Sequence, residues 1–197
     1  MSTAPPTLAH HFATMACNNA WANLRLLRAC CALSPQDFTA TRTSFFPSIK
    51  ATLNHNLTVD WYYVDAIERS LRGEPPNPQA RGFFDPPEPY DDCAALAAAQ
   101  HAVDQRLIDL CTALEDADLS LPIAIPRTGG LHVEPMTRLL AHLFEHQIHH
   151  RGQAHAMLAG TVVAPPQLDE FFCIGDAPLR AADLAELGLS EQAIWNA

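Results

Sequence analysis

Four stretches of this chain repeat apolar residues at helical spacing, and proline, glycine or serine cuts each one off. The first runs from about Leu8 to Leu33, with Phe12, Met15, Ala16, Trp21, Leu24 and Leu27 on its apolar face, and Ser34-Pro35 ends it. The second opens near Pro47-Ser48 and continues to about Leu71, ahead of Gly73 and Pro75-Pro76. Asp91-Asp92 head the third, which reaches Leu114; carboxylates suit the positive end of a helix. The fourth starts at Glu134-Pro135 and stops at Gly160. At about 1.5 Å per residue each is about 38 Å long. Matched lengths predict an all-α four-helix bundle over about residues 8–160 and a short C-terminal extension over about 161–197, in one domain covering 1–197. No strand-like alternation is visible over a useful length, so 117–132 reads as a loop.

The chain has 22 acidic and 12 basic residues, a formal charge of −10, and no tract rich in Lys or Arg. That balance argues against binding nucleic acid or an anionic membrane, since phosphate neutralisation needs clustered cations. Hydrophobic residues make up 48% of the chain and charged ones 17%, which excludes a disordered chain. The N-terminal residues lack a basic segment followed by an apolar core, and no apolar run is long enough to span a bilayer. A cytoplasmic protein is the expectation. The six cysteines form no C-x-x-C pair, so neither a zinc knuckle nor a thioredoxin-type motif is present, and most of them read as small buried hydrophobes.

Histidine carries the chemistry. Of ten histidines, five fall in the fourth helix: His142, His146, His149, His150 and His155. His146 and His150 sit one turn apart on one face, where two imidazole nitrogens can reach a single metal at about 2.1 Å. His142, one turn earlier, is a further candidate. A third ligand must come from another helix, and His55 is the histidine inside the second. Three imidazoles without a thiolate leave coordination positions open, as catalytic sites do; zinc, nickel or ferrous iron all suit the set. A competing pattern, His142-Leu-Phe-Glu145-His146, matches the H-x-x-E-H of inverted zinc proteases, but only Asp169 or Glu170 would supply the later acidic ligand. The paired Glu-x-x-His motifs of a ferritin-like di-iron site are missing.

Three segments then resemble a known family: Asn19-Ala-Trp21-Ala-Asn23; Thr52-Leu-Asn54-His55 with Asp60; and His146-Gln-Ile-His149-His150-Arg151-Gly-Gln153. In this order and spacing they resemble the DinB family of the DinB/YfiT-like superfamily, and Gln167–Phe171 looks like a C-terminal element found in some members. The resemblance implies a four-helix bundle, commonly dimeric, that holds a divalent metal through three histidines, here His55, His146 and His150. It implies an enzyme of the thiol S-transferase or hydrolase type acting on a small-molecule substrate. A non-catalytic bundle serving as a sensor or interaction module is the alternative. Glu145 departs from the pattern, standing where relatives often carry asparagine.

Around such a centre, His149 and Gln153 are expected to orient the ligands or move protons, since both lie on the arc beside His146 and His150. Glu145 is a candidate base, and Tyr62, on the same face as His55, a candidate for lining the pocket. Arg151 is a candidate for binding an anionic substrate group, with an ion pair to Asp60 as the other reading. The Phe83-Phe84 loop is a candidate cover. His155 is expected to face solvent.

Overall fold

Short polar side chains that accept a free backbone N–H fix where the helices begin. In the computed structural model, which describes residues 6–195, Thr7 accepts from the His10 amide and opens α1 (Leu8–Cys31). Ser34 accepts from Asp37 and opens a short helix, α2 (Pro35–Thr39), so the stop after α1 is also a start. Ser48 opens α3 (Ile49–Leu71) by accepting from Ala51, and Asp92 opens α4 (Cys93–Thr112) by accepting from Ala95. The last long helix, α5 (Met136–Leu158), has no such cap; the Met136 amide and the Thr137 hydroxyl donate instead to the carbonyls of Leu121 and Leu119. The outermost residues of the expected 1–197 domain lie outside the described ones.

One expectation fails. The stretch read as a loop holds an antiparallel hairpin, β1 (Pro122–Arg127) paired with β2 (Gly130–Pro135). Gly129 and Gly130 both take positive φ at the turn, which glycine does without a Cβ penalty. Ile123 and Ile125 alternate inward and are buried, whereas Leu131 and Val133 stay exposed on the partner strand. Prolines at 122, 126 and 135 break the alternation, and a proline-bearing pair survives here because the sheet has only two strands, both edges.

The chain is otherwise helical. α1 packs on α4 and α5, and α3 packs on the same two helices, so the four long helices enclose one core. Trp21, Leu26, Ile49, Leu57, Leu96 and Leu140 are fully buried in it. After α5 the extension carries α6 (Ala177–Glu186) and α7 (Glu191–Trp195) and docks on α1. The Phe171 ring meets Trp21 at 5.7 Å, and Arg25 pairs with Asp183 at 2.7 Å while its guanidinium lies over the same indole. Among the described residues no helix is long and apolar enough to cross a membrane.

Inside the apolar core runs a polar layer to which each long helix contributes. Arg151 of α5 is buried and donates to the side-chain oxygens of Asn19, of Asn23 (3.1 Å) and of Gln147 (3.4 Å). Asn19 and Asn23 in turn donate to Asp104 on α4, each at 3.0 Å. Gln100 bridges the two carboxylates, donating to Asp60 at 2.7 Å and to Asp104 at 3.1 Å. One guanidinium thus faces two carboxyl groups. Burial, helped by the neighbouring Asp104, pushes the Asp60 carboxyl up to about 7, and burial pushes Asp104 up to about 6.

The sign of the Asp60 shift sets a pH dependence. A carboxyl raised on folding contributes stability that is complete below its ordinary value of 3.8 and is lost as pH rises through about 7. Asparagine mimics the protonated form. Asp60→Asn should therefore match the wild type near pH 4 and gain on it toward pH 7, by about 1.4 kcal/mol per pH unit at the steepest. Urea denaturation across that range measures the difference; a gap that stays constant means Asp60 is already ionised in the fold.

Candidate metal centre

His55 projects from the first half of α3, and His146 and His150 from consecutive turns of α5, against which α3 packs. The three rings converge. Their ligand atoms all lie within 4.8 Å of one another, and the Nε2 atoms of His55 and His146 are 3.0 Å apart. Neighbouring ligands of an ion bonded at about 2.1 Å are separated by about 3.0–3.4 Å, so this spacing suits a shared metal.

The protonation pattern fits too. Burial and the neighbouring imidazoles push His55 down to about 4 and His146 down to about 3, and burial also lowers His150. All three rings are neutral at pH 7, the form that offers a lone pair to a cation. Gln153, one turn on from His149, sets one tautomer. Its Oε1 accepts from His150 Nδ1 at 2.9 Å, leaving Nε2 of His150 as the lone-pair nitrogen. Its Nε2 donates to His149 Nε2, also at 2.9 Å. His150, Gln153 and the exposed His149 therefore form a chain leading from the triad to solvent. The donor set and its tautomer fit a divalent ion. Ligand-orienting bonds of this kind are typically worth 10–100-fold in metal affinity. Gln153→Leu is expected to weaken zinc binding by about that factor with the fold intact, measured by competition with a chromogenic chelator; unchanged affinity would make the Gln153–His150 bond incidental.

Other expected participants lie elsewhere. Tyr62 is buried, donates its hydroxyl proton to the Pro126 carbonyl on β1, and packs on Phe84 at 5.3 Å. The Phe84 ring thus packs on α3 at Tyr62, whereas the rings that meet the triad are others. Glu145 is exposed on α5. His142 stands edge-on to Tyr63 at 5.5 Å, with its ring 6.1 Å from His146, and is not one of the three clustered histidines. Arg151 is turned into the polar layer, where buried side-chain oxygens take up its guanidinium, in place of a substrate contact at the triad. His155, expected at the surface, is half-buried and bonds the Pro166 carbonyl at 2.8 Å.

The aromatic cover comes instead from the segment before α3. Phe46 lies 4.4 Å from the His55 ring and 5.4 Å from His150, and Phe45, largely exposed, lies 6.2 Å from His150. The signal for it was the pair of phenylalanines next to Pro47-Ser48, close in sequence to His55.

No curated protein matches this chain. The model of the DinB family matches residues 5–176, nearly the whole chain up to the start of α6. With the helical core and the histidine cluster already in place, that match assigns the chain to the DinB family.

Proposed function

We propose that this DinB-family protein is a divalent-metal-dependent enzyme of the thiol S-transferase or hydrolase type, with His55, His146 and His150 as the metal ligands. The observation that carries this reading is the convergence of three neutral imidazoles from two helices, beside a hydrogen-bonded route to solvent. Zinc, nickel or ferrous iron would be held by the three histidines. When bound, such an ion lowers the pKa of a coordinated water or thiol and supplies a nucleophile at neutral pH. Gln153 holds the His150 tautomer and anchors His149 at the solvent end of the chain. Phe45 and Phe46 limit water around the triad and offer an apolar surface to the substrate. A four-helix bundle of DinB/YfiT-like type, a homodimeric state, cytoplasmic residence and a small-molecule substrate, without nucleic acid or membrane, belong to the same proposal.

Phe46 packed against His55 favours a second reading, a metal-bearing bundle without catalysis that acts as a sensor or interaction module. One experiment separates the two. Protein purified without a tag is analysed for metal, then assayed with low-molecular-weight thiols against small electrophiles and with small ester and amide substrates. About one ion per chain with turnover supports the enzyme. One ion per chain with no turnover in either assay supports the second reading, and no bound ion refutes both.

A further inference from the structure

Three of the six cysteines conform to the expectation of small buried hydrophobes. Cys17, Cys30 and Cys111 are buried, and burial pushes Cys17 up to about 11 and Cys30 up to about 12. Cys173 is exposed in the extension. Cys31 and Cys93 differ, because the fold brings them together from different helices. Cys31 is the last residue of α1 and is exposed; Cys93 is the first residue of α4 and is half-buried.

The Cys93 thiol donates to the Leu27 carbonyl, with sulfur and oxygen 3.9 Å apart. In an α-helix that carbonyl also accepts the backbone N–H four residues on, which here belongs to Cys31. Cys93 sulfur therefore lies against the turn that carries Cys31, beside its thiol. The neighbouring Cys93 thiol holds the Cys31 thiol below its ordinary value, against the Asp92 carboxylate, and so favours a thiolate there. Cys93 is raised in turn by Cys31 and by burial.

We propose that Cys31 and Cys93 are a reversible redox pair, Cys31 attacking and Cys93 resolving, which closes a disulfide between the end of α1 and the start of α4 on meeting a low-molecular-weight disulfide. In the first step Cys31 thiolate attacks one sulfur of the small disulfide. A mixed disulfide forms, and one small thiolate leaves and takes a proton from solvent. In the second step Cys93 gives its proton to solvent and its sulfur attacks that of Cys31, expelling the second small thiolate, which is protonated in turn. Two protein thiols are oxidised and one small disulfide is reduced to two thiols. Both cysteines sit at helix ends, where side chains have room to bring the sulfurs to bonding distance, about 2.05 Å. The bond would enclose about 60 residues that include Phe45, Phe46 and His55, so oxidation would tether the segment leading into the triad. The pairing does not depend on the function proposed above.

The test uses the full chain, reduced and then treated with oxidised glutathione under native conditions. Peptide mapping without reduction should find Cys31 linked to Cys93, with the loss of two thiols at these positions reversed by dithiothreitol. Cys173, exposed and without a partner thiol among the described residues, should stop at a glutathione adduct. In Cys93→Ser, Cys31 should also stop at the adduct; in Cys31→Ser, Cys93 should remain reduced. A stable adduct on Cys31 in the wild-type chain, a cross-link from Cys31 to any other cysteine or to a second chain, or an unreactive Cys31 would each overturn the pairing.

Discussion

Replacing Arg151 with methionine should destabilise the protein by about 3–5 kcal/mol at pH 8, the cost of removing one partner from a buried charged group. The guanidinium is the cation that faces Asp60 and Asp104, and it also satisfies the side-chain oxygens of Asn19, Asn23 and Gln147. Methionine fills much of the volume but donates nothing. At pH 5 the loss should be smaller, because both raised carboxyls take up protons more readily than exposed ones and the layer sheds its excess negative charge. Adding Asp60→Asn and Asp104→Asn to the methionine variant should recover much of the loss at pH 8. Urea denaturation of chelator-treated protein measures all three chains without interference from metal. A cost below about 1 kcal/mol at pH 8, or no recovery in the triple variant, would refute the electrostatic account of the layer.

His55→Ala should weaken metal binding by more than about 100-fold, beyond the range associated with residues that only orient ligands. The wild-type chain, with zinc at a hundredfold excess over its dissociation constant, should gain about 2.7 kcal/mol of stability from binding. A hundredfold weaker site retains about 0.4 kcal/mol of that at the same concentration. The readout is the zinc-dependent shift in melting, compared with the same chains in chelator, so that any packing cost of the alanine cancels. A variant that keeps stoichiometric metal would remove His55 from the proposed ligand set and leave only the α5 pair.

The long helices were legible because their starts and stops are local: Ser48 and Asp92 cap where a cap was expected, and Gly160 follows the end of α5. The histidine cluster was legible for a different reason. His146 and His150 share a helix face by spacing, and few histidines elsewhere could reach them. The hairpin was hidden because its prolines mask an alternation whose buried side is only Ile123 and Ile125. Of the two readings of Arg151, the side chain takes the direction of Asp60 and not that of its neighbour His150, since consecutive helical residues point about 100° apart. The thiol pair and the Phe46 cover depend on how helices and loops meet, which no local pattern encodes. Much of the resemblance to the DinB family also proves to lie outside the triad: Asn19, Asn23, Asp60 and Arg151 meet in the polar layer instead.

That layer does more than hold a charge in the core. Arg151 follows His150 directly on α5, so the bonds on one side of the helix index its rotation for the side chains on the other. Turning α5 by one residue swings its side chains about 100°, and sliding it by one residue displaces them about 1.5 Å. Either movement would pull Arg151 off Asn19 and Asn23 as it carried His146 and His150 away from His55. An all-aliphatic core would tolerate several such settings at similar energy; a directional bond set in the middle of the molecule selects one. The aim of the histidines is thus held from behind, by residues that lie outside the triad.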